Sequence, residues 1–107
     1  MDIVNEIISK YQRKKDVVIA KMFGSQALKI NDKVFMIIMK DSIVFRMHPD
    51  DIPKAVSIKG AGYFDAHKNG HLMKTWVQYS TKIVTRECLE VAERSFQYVK
   101  KMSKNII

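Results

Sequence analysis

Apolar residues open the chain at helical spacing. Ile3, Val4, Ile7, Ile8 and Tyr11 fall three and four apart between Asp2 and about Lys15, which predicts an amphipathic helix. Asp2 stands where an N-cap carboxylate accepts an amide hydrogen of the first turn. The period then changes. "DVVIAKMFG" begins with β-branched residues and stops at Gly24, which suits an extended segment. "ALKI", "KVFMIIMK" and "SIVFRMH" follow as β-rich runs separated by "ND" and "D", residues that tolerate tight turns and positive φ. This spacing predicts an antiparallel meander. Simple alternation in the middle run sends Val34, Met36 and Ile38 to one face and Phe35, Ile37 and Met39 to the other. A strand apolar on both faces is expected near the centre of its sheet, covered on both sides. In the third run Ile43, Phe45 and Met47 alternate with Val44, Arg46 and His48, so one face there is wetter.

"HPDDIPKAVS" places Pro49 and acids before a short helical pattern, the chemistry of a first helical turn. In "MKTWVQYS", Met73, Thr75, Val77 and Tyr79 alternate with Lys74, Trp76 and Gln78, a further strand. From about Thr85 to Lys101, the residues Cys88, Leu89, Ala92, Phe96 and Val99 form one side of a final amphipathic helix. The expectation is one α+β domain over residues 1–107. An antiparallel sheet, a three-stranded meander plus one or two further strands, is flanked by N-terminal, middle and C-terminal helices.

Composition narrows the class. A chain of 107 residues that is 47% apolar with two prolines is that of one folded domain. The longest wholly apolar run, "VFMIIM", is far short of the ~20 residues a membrane helix needs. One cysteine fits a reducing compartment, and the first residues lack the charge order of a signal peptide, so a cytoplasmic protein with no membrane partner is expected. The net charge of +8 raises nucleic acid as a partner. The surplus lies in the two end segments, where acids come early and bases late, an order that also complements helix dipoles. Arg13, Lys14, Lys15, Lys100, Lys101 and Lys104 are the candidate anion-binding residues if the two helix ends meet on one face.

Catalytic groupings are hard to assemble. Gly60, Gly62 and Gly70 follow a helix and precede a strand, opposite to the order of a phosphate-binding loop. Asp65, His67 and His71 invite a metal reading, with Cys88 as a distant fourth ligand, but Asn69 and Gly70 between the histidines favour a turn. Ser25 in "MFGSQ" is not in a nucleophile elbow. Asp50 and Asp51 suit a helix start. A non-enzymatic protein with no cofactor and no metal is expected. Trp76 shares a face with Lys74 and Gln78, which makes it either a core edge or an interface anchor.

"KMFGSQALKINDKVF", Lys21 to Phe35, resembles the TfoX/Sxy N-terminal-domain family, and "GAGYFD" followed by "MKTWV" is similar to a later segment of its small stand-alone members. The resemblance covers roughly residues 16 to 101. It implies an α+β domain with a curved antiparallel sheet flanked by helices. In the full-length regulators such a domain is associated with control of natural competence, acting with the cAMP receptor protein. Those regulators carry a second, helical domain with no counterpart in these 107 residues, so the resemblance implies fold before function. Lys21, Phe23, Lys74 and Trp76, which match recurring family positions, form a candidate binding surface for a protein partner. A homodimer is a further arrangement this reading admits.

Overall fold

The computed structural model describes residues 3–22, 24–58, 60–64, 73–82 and 86–104; of Met22, Met73, Lys74, Ser103 and Lys104 it describes the backbone alone. The elements run α1 (Ile3–Gln12), β1 (Val17–Met22), β2 (Ser25–Ile30), β3 (Lys33–Ile38), β4 (Ser42–Arg46), a 3-10 turn (Pro49–Asp51), α2 (Ile52–Val56), β5 (Ala61–Phe64), β6 (Met73–Ser80) and α3 (Glu87–Lys104). The α+β architecture expected from the sequence is therefore present, with "DVVIAKMFG" supplying a fourth meander strand. The strands form one antiparallel six-stranded sheet in the order β1-β2-β3-β4-β6-β5. No helix among the described residues is long and apolar enough to cross a membrane.

Local chemistry explains the junctions. Asn31 and Asp32 both hold positive φ, 51° and 67°, the backbone of the tight hairpin turn that "ND" suggests. α1 ends at Gln12 rather than at about Lys15: the Lys14 N–H donates to the Tyr11 carbonyl at 3.1 Å and the Val17 N–H to the Lys14 carbonyl at 3.1 Å, two tight turns that lead into β1. His48 starts the 3-10 turn by accepting the Asp50 N–H on Nδ1 at 3.0 Å. Asp2, the expected N-cap, lies outside the described residues.

All three helices pack on one face of the sheet. Val4, Ile7 and Tyr11 of α1, Ile52 and Ala55 of α2, and Cys88, Val91, Ala92, Phe96 and Val99 of α3 bury against Leu28, Ile30, Met36, Ile43, Phe45, Val77 and Tyr79. The other face holds a smaller buried cluster of Ala27, Ile37, Val44, Phe64 and Trp76.

One part of the alternation expected for β3 is corrected. Phe35 lies with Met36 in the helix-side core, and Val34 packs against the other cluster with Ile37 and Met39. The cause is a bulge: Leu28 pairs with Met36 and Lys29 with Val34, which leaves Phe35 as the extra residue. A bulged residue loses its ladder partner, and a buried carbonyl without one is costly. Ser95 of α3 supplies the replacement, its hydroxyl donating to the Phe35 carbonyl at 2.9 Å. The bulge thus anchors α3 across the sheet.

Candidate functional site

α1 and α3 meet over the bulge through three rings. The centroids of Tyr11 and Phe35 are 5.8 Å apart, those of Tyr11 and Phe96 5.4 Å, and those of Phe35 and Phe96 5.4 Å. Beside this contact Glu93 acts as a clasp. It accepts the Tyr11 hydroxyl at 2.7 Å and the Gln97 amide at 2.9 Å, and Lys10 Nζ lies 3.7 Å away. Burial, then the bond to Glu93 and its charge, push the Tyr11 phenol well above its usual range. Burial alone would raise Glu93; the bonds from Gln97 and Tyr11 and the charges of Lys10 and Lys14 outweigh it and hold the carboxyl below its ordinary value.

This helix contact brings the two basic ends together. Lys14 Nζ stands 5.0 Å from the Phe96 centroid and 5.7 Å from that of Tyr11, while Lys100 Nζ approaches Phe96 at 5.7 Å from the other helix. Both ammonium groups therefore reach over one buried ring, a favourable cation–π arrangement. Lys14, Lys15 and Lys100 line a cleft of about 280 Å³ with Asp16, Gln97, Ile30 and Phe96. Three lysines face one aspartate there, and none of the three forms an ion pair among the described residues. The C-terminal, negative ends of both helices lie on this side, so part of the positive charge complements their dipoles. The remainder is available to an anion.

The other candidate residues divide. Arg13 is exposed just past α1 and does not line the cleft. Lys101 borders a separate cleft of about 320 Å³ with His48, Asp51, Glu93, Arg94, Gln97 and Tyr98. Lys104 is the last residue of α3. Lys21 is exposed on β1, whereas Trp76 is 6% exposed on β6, with three strands between them in sheet order. Trp76 sits in the second core cluster opposite Arg46, whose guanidinium lies 6.0 Å from the indole. Of the two readings open for Trp76, the structure shows the core edge. Phe23 lies outside the described residues, as do Asp65, His67 and His71. Cys88 is fully buried in the helix-side core. Among the described residues no group of three or more histidine, cysteine, aspartate or glutamate side chains is arranged to hold a metal.

Sequence reasoning missed the floor of the cleft. Phe96 and Ile30 read as ordinary core positions, and nothing in a one-dimensional pattern says that Lys14 and Lys100 cover the same ring. The cation at each helix end was the available signal. No family model matches the chain, and no curated protein matches it in sequence.

Proposed function

We propose that this protein is a non-enzymatic binding module whose cleft contacts the phosphate backbone of a nucleic acid. The observation that carries this reading is the convergence of Lys14, Lys15 and Lys100, from two chain ends, on one open cleft whose lining includes one acid, Asp16, and where none of the three forms an ion pair among the described residues. Such cations gain by replacing condensed counterions on a polyanion. The rings beneath them, Tyr11 and Phe96, are buried, so they offer no platform for stacking bases. Recognition is then by backbone charge, with little preference among sequences. The single cysteine and the composition support a cytoplasmic setting for it.

Titration of labelled duplex DNA and single-stranded RNA from about 50 to about 200 mM salt tests this reading. Three phosphate contacts give a log–log slope of about −3 on duplex and about −2 on single strands. A slope near zero, or no binding at the lower salt, refutes it.

A second reading is a protein-interaction module of the TfoX/Sxy N-terminal type, regulatory in role. Its support is a pair of exposed apolar residues, Val18 at 62% and Ile19 at 45%, on the outermost strand of the sheet.

A further inference from the structure

The two edges of the sheet are built differently. β5, one edge, has four residues, contains Gly62, and its pairing with β6 slips between Tyr63 and Phe64. Short length, glycine and a bulge are how sheets protect an edge from unwanted pairing. β1, the other edge, has none of these: its six residues pair with β2 in unbroken register and include neither glycine nor proline. Adjacent residues Val18 and Ile19 point to opposite faces and are both exposed, so the strand is open above and below.

The outward groups of β1 follow from one bond. The Val17 N–H donates to the Lys14 carbonyl at 3.1 Å, away from β2. In an antiparallel pair, alternate residues turn both backbone groups to the same side. Ile19 and Lys21 therefore present N–H and C=O outward, while Val18 and Ala20 bond to β2. Among the described residues no strand or helix takes up those outward groups.

We infer that β1 receives an extended acidic peptide segment of a protein partner as a seventh strand, an inference that rests on the protein-interaction reading. Charge selects the occupant. Lys15, Lys21 and Lys29 border the strand with Asp16 as the nearest acid, and the Lys14–Lys100 cleft adjoins its first residue. Apolar peptide residues beside Ile19 and Val18 with carboxylates beside the lysines satisfy both features, and main-chain bonds to Ile19 and Lys21 supply affinity. A second copy of the chain fits less well. Antiparallel self-pairing centred on Ile19 makes Lys15 a diagonal neighbour of Lys21 in the other copy, and each copy brings a net charge of +8.

The test uses the full chain and a labelled peptide of three adjacent valines flanked by glutamates, which sets valine beside both Val18 and Ile19 and glutamate beside Lys21, followed by fluorescence anisotropy and amide hydrogen exchange. Binding should slow exchange at Ile19 and Lys21 and leave Val18 and Ala20, already in the β2 ladder, unchanged. The same peptide with lysine for glutamate should bind roughly tenfold more weakly. Val18→Glu with Ile19→Glu should lower affinity by a similar factor, since two exposed sites tolerate the change without unfolding. Val18→Thr with Ile19→Thr, which keeps β-branching, should lose less. Protection at other amides, such as Tyr63, would overturn the β1 assignment and leave the interaction reading standing. Protection at Ile19 and Lys21 without peptide, together with a dimeric mass, would make a second copy the occupant and overturn the proposal. No binding by the peptide at low salt would overturn the inference, while the interaction reading would still have the exposed Val18 and Ile19 in its support.

Discussion

Among the described residues two places put a cation against an aromatic ring, and they do opposite things. In the α1–α3 cleft, Phe96 is buried, and the half-buried Lys14 and Lys100 lie over it and line the cleft. On the far face of the sheet Arg46 lies against Trp76, and its Nε is buried with no hydrogen-bond partner among the described residues. In the first place the ring is a floor that leaves cations free for a ligand. In the second, cation and ring close a small core together. Residue type alone does not separate the two; what separates them is which partner the fold covers.

The largest break in that comparison is Trp76→Ala. A fully packed tryptophan lost to alanine costs about 3–5 kcal/mol, whereas an interface anchor would leave stability nearly unchanged. Chemical denaturation measures the difference. Tyr11→Phe comes next, removing a bond to an ionised carboxylate worth roughly 1.5–3 kcal/mol.

The same Tyr11 substitution carries a pH signature. The Tyr11 phenol is raised in the folded state, as is that of Tyr79, which is buried and donates to the Ala55 carbonyl at 2.8 Å. Their contribution is complete below the unfolded tyrosine value of about 10 and is lost as pH climbs above it. Glu93 is lowered, so its contribution is present above the unfolded carboxyl value and fades as pH falls through the folded one. Melting temperatures of the wild type should therefore drop above about pH 10 and again in acid, and Tyr11→Phe should flatten both limbs.

Smaller still is Arg46→Met. Replacing a buried, unsatisfied Nε by a chain of similar length should be neutral or stabilising by up to about 1 kcal/mol. Lys14→Gln or Lys100→Gln should cost about 0.5–1 kcal/mol, the cation–π and helix-end contribution that each ammonium gives up.

The strand runs, the "ND" hairpin and the order of helices were legible because each depends on neighbours in sequence. The position of Phe35 was not: alternation sends it away from Met36, and only the slip between Leu28 and Lys29 brings the two together. Trp76 was equally ambiguous, since its burial depends on Val44 and Phe64 from other strands. The cleft was legible in halves. Each helix end announced its lysines, but their meeting depends on the Tyr11–Phe96 contact between residues far apart in the chain. The split of Lys101 from Lys100 is likewise a matter of which flank of α3 each occupies.

The most direct test of the cleft keeps total charge constant and moves only its location. Lys14→Glu with Lys100→Glu alters the cleft; Lys40→Glu with Lys82→Glu removes the same charge from exposed positions at the far end of β3. Affinity for labelled duplex DNA is then measured against salt for both variants and the wild type. The cleft pair should lose at least about tenfold in affinity and about two units of salt slope, while the distant pair keeps the wild-type slope. Equal losses in the two variants would mean that the protein's overall charge, and not this cleft, holds the nucleic acid.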